Sequence, residues 1–192
     1  MNIHRRSAYI IIFGALWGGA EMFLGGALHA MNIPMKGMIM STVGAFLAVS
    51  ARLWVGRRGT ILAVGAIAAL LKLFSIGGLV LSPAIAILLE SLLGEAAMFL
   101  LGGNLAGAAT AGAAMVVYTI IHRAFSLLVV YRAEIQEFYQ GMFAGSGLEA
   151  AVREWWWLLL AAYAAVHIAV GGISGLLAYI SVRKAKAARR GK

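Results

Sequence analysis

Glu21, His29, Lys72, Glu90, His122 and Arg123 each fall inside or at the edge of a long apolar run. An ionisable side chain is costly there unless it meets a partner, a cavity or a solute. Asn32, in the turn Asn32-Ile33-Pro34 that closes the first run, joins them as a candidate substrate-binding residue. Opposite charges held in this way can fix the orientation of a polar solute while aliphatic and Met side chains cover its apolar body. They can also pair with one another as structural bridges between helices. The two readings overlap, because a site for a charged solute can be ion-paired when it is empty.

Other chemistry has no residues to carry it. HExxH, GxxxxGK[ST] and GxSxG patterns do not occur, and Gly145-Ser146-Gly147 has no positioned base, so no catalytic set is expected and the chain does not read as an enzyme. The absence of Cys removes disulfides, Cys-ligated zinc and a Cys nucleophile. Met22, Met31, Met35, Met38 and Met40 crowd the first hairpin near His29, a soft-metal or haem pattern in principle. Met is also ordinary apolar filling, so no metal or cofactor is assigned. Glu95 reads as a structural hydrogen-bonding group and His167 as a packing histidine.

The elements that must position these residues follow from composition. A chain of 192 residues that is 62% hydrophobic and 12% charged, with mean hydropathy +0.91, is built for lipid rather than water. A membrane-spanning helix needs about 20 apolar residues. Six stretches qualify as candidates: roughly Ser7 to Ala30, Gly37 to Val55, Thr60 to Phe74, Pro83 to Leu101, Leu105 to Val130 and Trp155 to Val182. The third is short. Gly, Pro and Asn mark the breaks, as in Gly56-Arg57-Arg58-Gly59 and Gly102-Gly103-Asn104. The expected fold is therefore all-α, a polytopic bundle of six transmembrane helices over 1–182 with a basic tail over 183–192. The apolar N-terminal stretch is longer than a secretory signal core and carries Glu21, so it reads as a spanning helix.

A net charge of +9 does not indicate nucleic acid here, because the basic residues cluster beside apolar runs as membrane topology requires. With the N-terminus inside, eleven basic residues flank the cytoplasmic side (Arg5, Arg6, Arg52, Arg57, Arg58 and six in the tail) against Lys36, Arg132 and Arg153 outside. Both termini are accordingly expected in the cytoplasm, in a multi-pass protein of the cell membrane. The link from Tyr131 to Glu154, with Glu134, Glu137, Glu149 and Glu154, is placed outside as a connector, and Trp155, Trp156 and Trp157 as an interfacial anchor. At 1.5 Å per residue Glu21 lies roughly 21 Å from the inner end of its helix. Lys72, Glu90, His122 and Arg123 fall in the outer part of theirs, which predicts a polar pocket opening outward.

Gly14 with Gly18, and Ala15 with Gly19, are small-xxx-small pairs that let another helix approach closely; Ala108 with Gly112 and Ala109 with Ala113 form a second set. Length, six helices, internal termini, a small-residue first helix and an outward polar pocket together make the chain resemble the substrate-binding S component of energy-coupling factor (ECF) transporters. The likeness spans the whole chain and is architectural. It implies capture of a vitamin-like micronutrient outside the cell, with a membrane coupling protein and two ATPases as partners that drive uptake. The family's Ala-x-x-x-Ala contact for the coupling protein maps onto Gly14 with Gly18 or Ala15 with Gly19, with Gly in place of Ala. His4 sits later than the N-terminal Met-His segment of nickel and cobalt members, which speaks against those metals. An autonomous permease for a metabolite, metal or ion is the alternative, and an intramembrane enzyme the third reading.

Overall fold

The computed structural model describes residues 2–31, 35–74, 81–126, 147 and 149–191, with the side chains of His29 and of 149–153 left aside. Among these residues the chain is wholly helical: α1 Ile3–Ala30, α2 Lys36–Val55, α3 Thr60–Leu73, α4 Leu81–Leu101, α5 Leu105–Phe125 and α6 Glu149–Arg190. Five of them are long and apolar enough to cross a membrane, and α3, with 14 residues, is the short one. At 1.5 Å per residue α3 reaches only about 21 Å, against a hydrocarbon core of about 30 Å. Large apolar side chains such as Phe23, Phe74 and Leu100 stand exposed around the bundle, an arrangement that suits lipid and not water.

The expected breaks are where the helices end. Gly56 adopts φ 71° and donates its N–H to the Arg52 carbonyl at 2.9 Å, closing α2 with the left-handed residue that glycine supplies most cheaply. Gly102, at φ 82°, closes α4 in the same way. Asn104 then serves both neighbours: its Nδ2 donates to the Leu101 carbonyl at 2.8 Å and its Oδ1 accepts from Gly107 N at 2.8 Å, capping α5. The start of α6 differs from the expected Trp155, since it is helical from Glu149 with a break in regular geometry at Trp155 (φ −112°, ψ 19°). Its other end runs past Val182 to Arg190, because the Ala-, Lys- and Arg-rich segment favours helix beyond the apolar stretch.

Helix α2 is the hub. It packs against each of the other five, while α1, α3, α4, α5 and α6 adjoin one another in that order around it. Its buried face is small (Gly44, Ala45, Ala48 and Ala51), so its neighbours come close, and Trp17, Met98 and Met115 fill the remaining volume. The indole of Trp17 lies directly on Gly44, where a Cβ would collide with the ring. Helices α5 and α6 cross backbone to backbone: a Cβ on Gly112 would strike the Gly171 carbonyl, and one on Gly175 the Ala108 carbonyl. Here Ala108 and Gly112, one of the small-residue pairs noted in the sequence, meet Gly171-x-x-x-Gly175. Both chain termini lie at one end of the bundle, where Arg189 donates to the Tyr9 hydroxyl at 3.3 Å and Lys186 to the Leu53 carbonyl at 2.8 Å. Trp54 is enclosed there by Tyr9, Lys186 and Arg189.

Candidate functional site

Three of the predicted residues come together. Glu21 stands about 27 Å along α1, and Lys72 about 18 Å along α3, which starts at the termini end and runs parallel to α1. The Lys72 ammonium lies 3.3 Å from Glu21 Oε2 and donates to the Glu21 backbone carbonyl at 2.9 Å. Both side chains are nearly inaccessible. Helix α3 ends one residue beyond Lys72, so its last carbonyls lie near this pair.

Glu90, buried near the middle of α4, lies within electrostatic range of Glu21 and accepts from Ser41 Oγ at 3.0 Å. The same hydroxyl sits 3.1 Å from the Met115 carbonyl of α5. Tyr118, one turn farther along α5, stands near the same carboxyl. The indole of Trp17 is turned toward Glu21, yet its N–H makes no well-formed hydrogen bond among the described residues. Five helices thus bring Glu21, Ser41, Lys72, Glu90 and Tyr118 to one interior region. Gly25, on the turn beyond Glu21, lies against the ion pair: a Cβ there would stand 3.4 Å from Lys72 Nζ and 3.6 Å from Glu21 Oε2.

The other predicted residues stand apart from this group. His122 is half-buried at the end of α5, with Nε2 3.2 Å from Ser82 Oγ on α4 and its ring 6.0 Å from Tyr118. It is joined to the cluster through Tyr118 rather than by direct contact. Arg123 points to the exposed side of the same turn. Asn32 lies outside the described residues, as does the side chain of His29, whose backbone is in the last turn of α1. Of the predicted partner-helix residues, Gly14 and Gly18 are taken up inside the chain, against Ile67 and Leu71 of α3. Ala15 is exposed and Gly19 faces open space, so that pair alone remains on the outer surface. The sequence reading missed Ser41, Trp17 and Tyr118. A hydroxyl, an indole and a phenol in apolar helices carry no distinctive spacing, although Ser41 stands out as a polar residue at the start of the most buried helix.

Glu95 makes the structural hydrogen bonds expected of it, whereas His167, expected as a satisfied packing histidine, packs but is satisfied only at Nδ1, its buried Nε2 meeting no partner among the described residues. Glu95 Oε1 accepts from Gly59 N at 2.7 Å and from Arg52 Nε at 3.3 Å, and Oε2 accepts from Ile61 N at 2.8 Å. A carboxylate from α4 therefore caps the N-terminus of α3, whose N-cap residue, Gly59, has no side chain to do so. His167 is fully buried, with Nδ1 2.8 Å from the Tyr163 carbonyl and its ring packed at 4.2 Å on Tyr163. No group of three or more His or Glu residues with metal-binding geometry occurs among the described residues. No protein-family model matches the chain, and neither a curated protein nor a solved structure proves similar to it.

Proposed function

We propose that this chain is a membrane-embedded, substrate-binding subunit of an ATP-driven uptake transporter of the ECF type, and that it captures a vitamin-like organic solute. The observation that carries this reading is the gathering of Glu21, Lys72 and Glu90, with Ser41 and Tyr118, inside an otherwise apolar bundle, next to a helix that ends within it. A solute bearing a polar group can open the Glu21–Lys72 pair and replace it with its own contacts, while Trp17 and Met40 offer apolar cover. The absence of a catalytic set favours binding over reaction. The outward Ala15–Gly19 stripe suits a partner helix in the membrane, the role of the coupling protein. The sequence asymmetry in Arg and Lys supports an orientation with both termini in the cytoplasm and the Glu21–Lys72 group toward the outside.

Purification in lipid nanodiscs followed by mass spectrometry of retained small molecules tests the binding role directly. Vesicles containing the chain alone should bind solute without accumulating it, and accumulation should appear when coupling protein and ATPases are added. ATP-independent accumulation by the chain alone would replace this reading with that of an autonomous permease. Single cysteines near Asn2 and Gly191 should react only from the cytoplasmic side, in a chain that has no native Cys to interfere.

A further inference from the structure

Glu90 differs from the other buried carboxylates in the donors it meets. Its partner is a neutral hydroxyl, that of Ser41, and this hydroxyl stands within hydrogen-bond reach of two acceptors at once: Glu90 Oε2 at 3.0 Å and the Met115 carbonyl at 3.1 Å. A serine carries one hydroxyl hydrogen. If Glu90 were ionised, that hydrogen would be divided between two acceptors, and a buried charge would be left, among the described residues, with half a hydrogen bond and no cation of its own. Such a charge neutralises itself rather than remain in an apolar interior.

The charged and titratable groups on the helices around it do not supply the missing cation. Lys72, the titratable residue of α3, is engaged by the carboxylate and carbonyl of Glu21 on α1. Glu21 adds a like charge. Helix α5 offers Tyr118, then His122 with Ser82, and Arg123 on its exposed side. Helix α2 carries its Lys36 and Arg52 at its two ends, Arg52 being engaged by Glu95.

We propose that Glu90 is a proton-binding site: its carboxyl O–H donates to Ser41 Oγ, and the Ser41 O–H donates in turn to the Met115 carbonyl. One added proton makes both observed contacts complete hydrogen bonds and leaves the Glu21, Lys72 and Glu90 group with no net charge. The assignment is independent of the transport reading, since it concerns the chain without solute.

Infrared spectroscopy of the full chain in lipid nanodiscs at neutral pH tests it, using the C=O stretch of a protonated carboxyl and its shift on deuteration. The chain has no Asp and seven Glu, so few carboxyls compete. The band should be present in the unaltered protein, absent in Glu90→Gln and retained in Glu21→Gln. In Ser41→Ala the band should persist but move to higher frequency, because the carboxyl loses its acceptor. No protonated-carboxyl band in the unaltered protein, or a band undiminished in Glu90→Gln, overturns the proposal. Should Glu90→Gln fail to fold, the Ser41→Ala shift decides: a band unmoved by that change overturns the hydrogen-bond chain.

Discussion

Glu90 and Glu95 stand on the same helix, about 7.5 Å apart along its axis and about 140° apart around it, and they meet opposite surroundings. Glu95 collects two backbone N–H groups and the Arg52 guanidinium, so both its oxygens are occupied by donors. Glu90 shares one hydroxyl, and its neighbour Glu21 has a single lysine. A carboxylate with a full set of donors gains nothing from a ligand; it fixes the α2–α3 link to α4. A polar group with few donors keeps unused capacity for a solute or a proton. Burial is similar in the two places, so burial alone does not distinguish a structural charge from a functional one; the number of donors does.

The largest test of this contrast is at Glu95. Replacing it with Gln leaves Arg52 buried without its counter-charge and weakens the cap of α3, and breaking a buried pair of this kind costs about 3–5 kcal/mol. The melting temperature in detergent should fall steeply, while solute affinity of the fraction that stays folded should hold. A melting temperature close to that of the unaltered protein would place Glu95 on the same footing as Glu90 and remove the distinction.

At the other end of the contrast, Glu21→Gln removes a charge from the buried ion pair while keeping the side chain's volume. Affinity for the retained solute should drop by about 1.5–3 kcal/mol, the worth of a charged hydrogen bond; melting should fall too, because Lys72 loses its counter-charge, but less than in Glu95→Gln because Lys72 keeps the Glu21 backbone carbonyl as acceptor. Glu90→Gln exchanges one neutral hydrogen-bonding group for another if Glu90 holds a proton. Its effect on affinity should therefore be smaller, about 0.5–1.5 kcal/mol. Titration calorimetry and melting on both variants separate these outcomes. Equal losses in the two would indicate that both carboxyls meet the solute as charges, and unchanged affinity in both would remove them from the site.

How much of this was legible in the sequence depends on the distance over which each feature is determined. The starts of α2 to α5 and the ends of α2 to α4 were readable to within two residues, because in a chain so apolar the Gly, Pro and Asn residues are local punctuation with local causes, while the expected end of α5 at Val130 lies outside the described residues. The ends of α6 were not, since apolarity reports where lipid ends and helix propensity carries the chain on to Arg190. The convergence of Glu21, Lys72 and Glu90 was readable from depth alone, for depth needs only a rise per residue. Their pairing was not. That Lys72 takes Glu21, that His122 takes Ser82, and that Ser41 reaches Glu90 are matters of rotation and register between helices far apart in sequence. The split between Gly18 and Gly19 has the same origin: two adjacent small residues look alike until packing turns one inward.

That split gives the smallest expected effect and a control for the rest. A Cβ on Gly18 would lie 2.6 Å from Leu71 Cδ1 and 2.8 Å from Leu71 Cβ, next to Lys72, so Gly18→Ala forces α1 and α3 apart at the level of the ion pair. Overpacking of this kind costs about 1–3 kcal/mol, and because Leu71 Cβ cannot rotate away the helices themselves must give. The Glu21–Lys72 pair should loosen with it, and solute affinity should fall although no polar group has changed. Gly19 meets nothing within 4 Å, so Gly19→Ala should leave both melting and affinity within about 0.5 kcal/mol of the unaltered protein. Gly19→Leu should leave solute binding intact in the isolated chain but weaken its assembly with a coupling protein, measured by co-purification, because the added bulk lies on the outward stripe with Ala15. If Gly19→Leu instead lowers solute affinity in the isolated chain while Gly18→Ala does not, the face of α1 that guards the Glu21–Lys72 pair has been assigned the wrong way round.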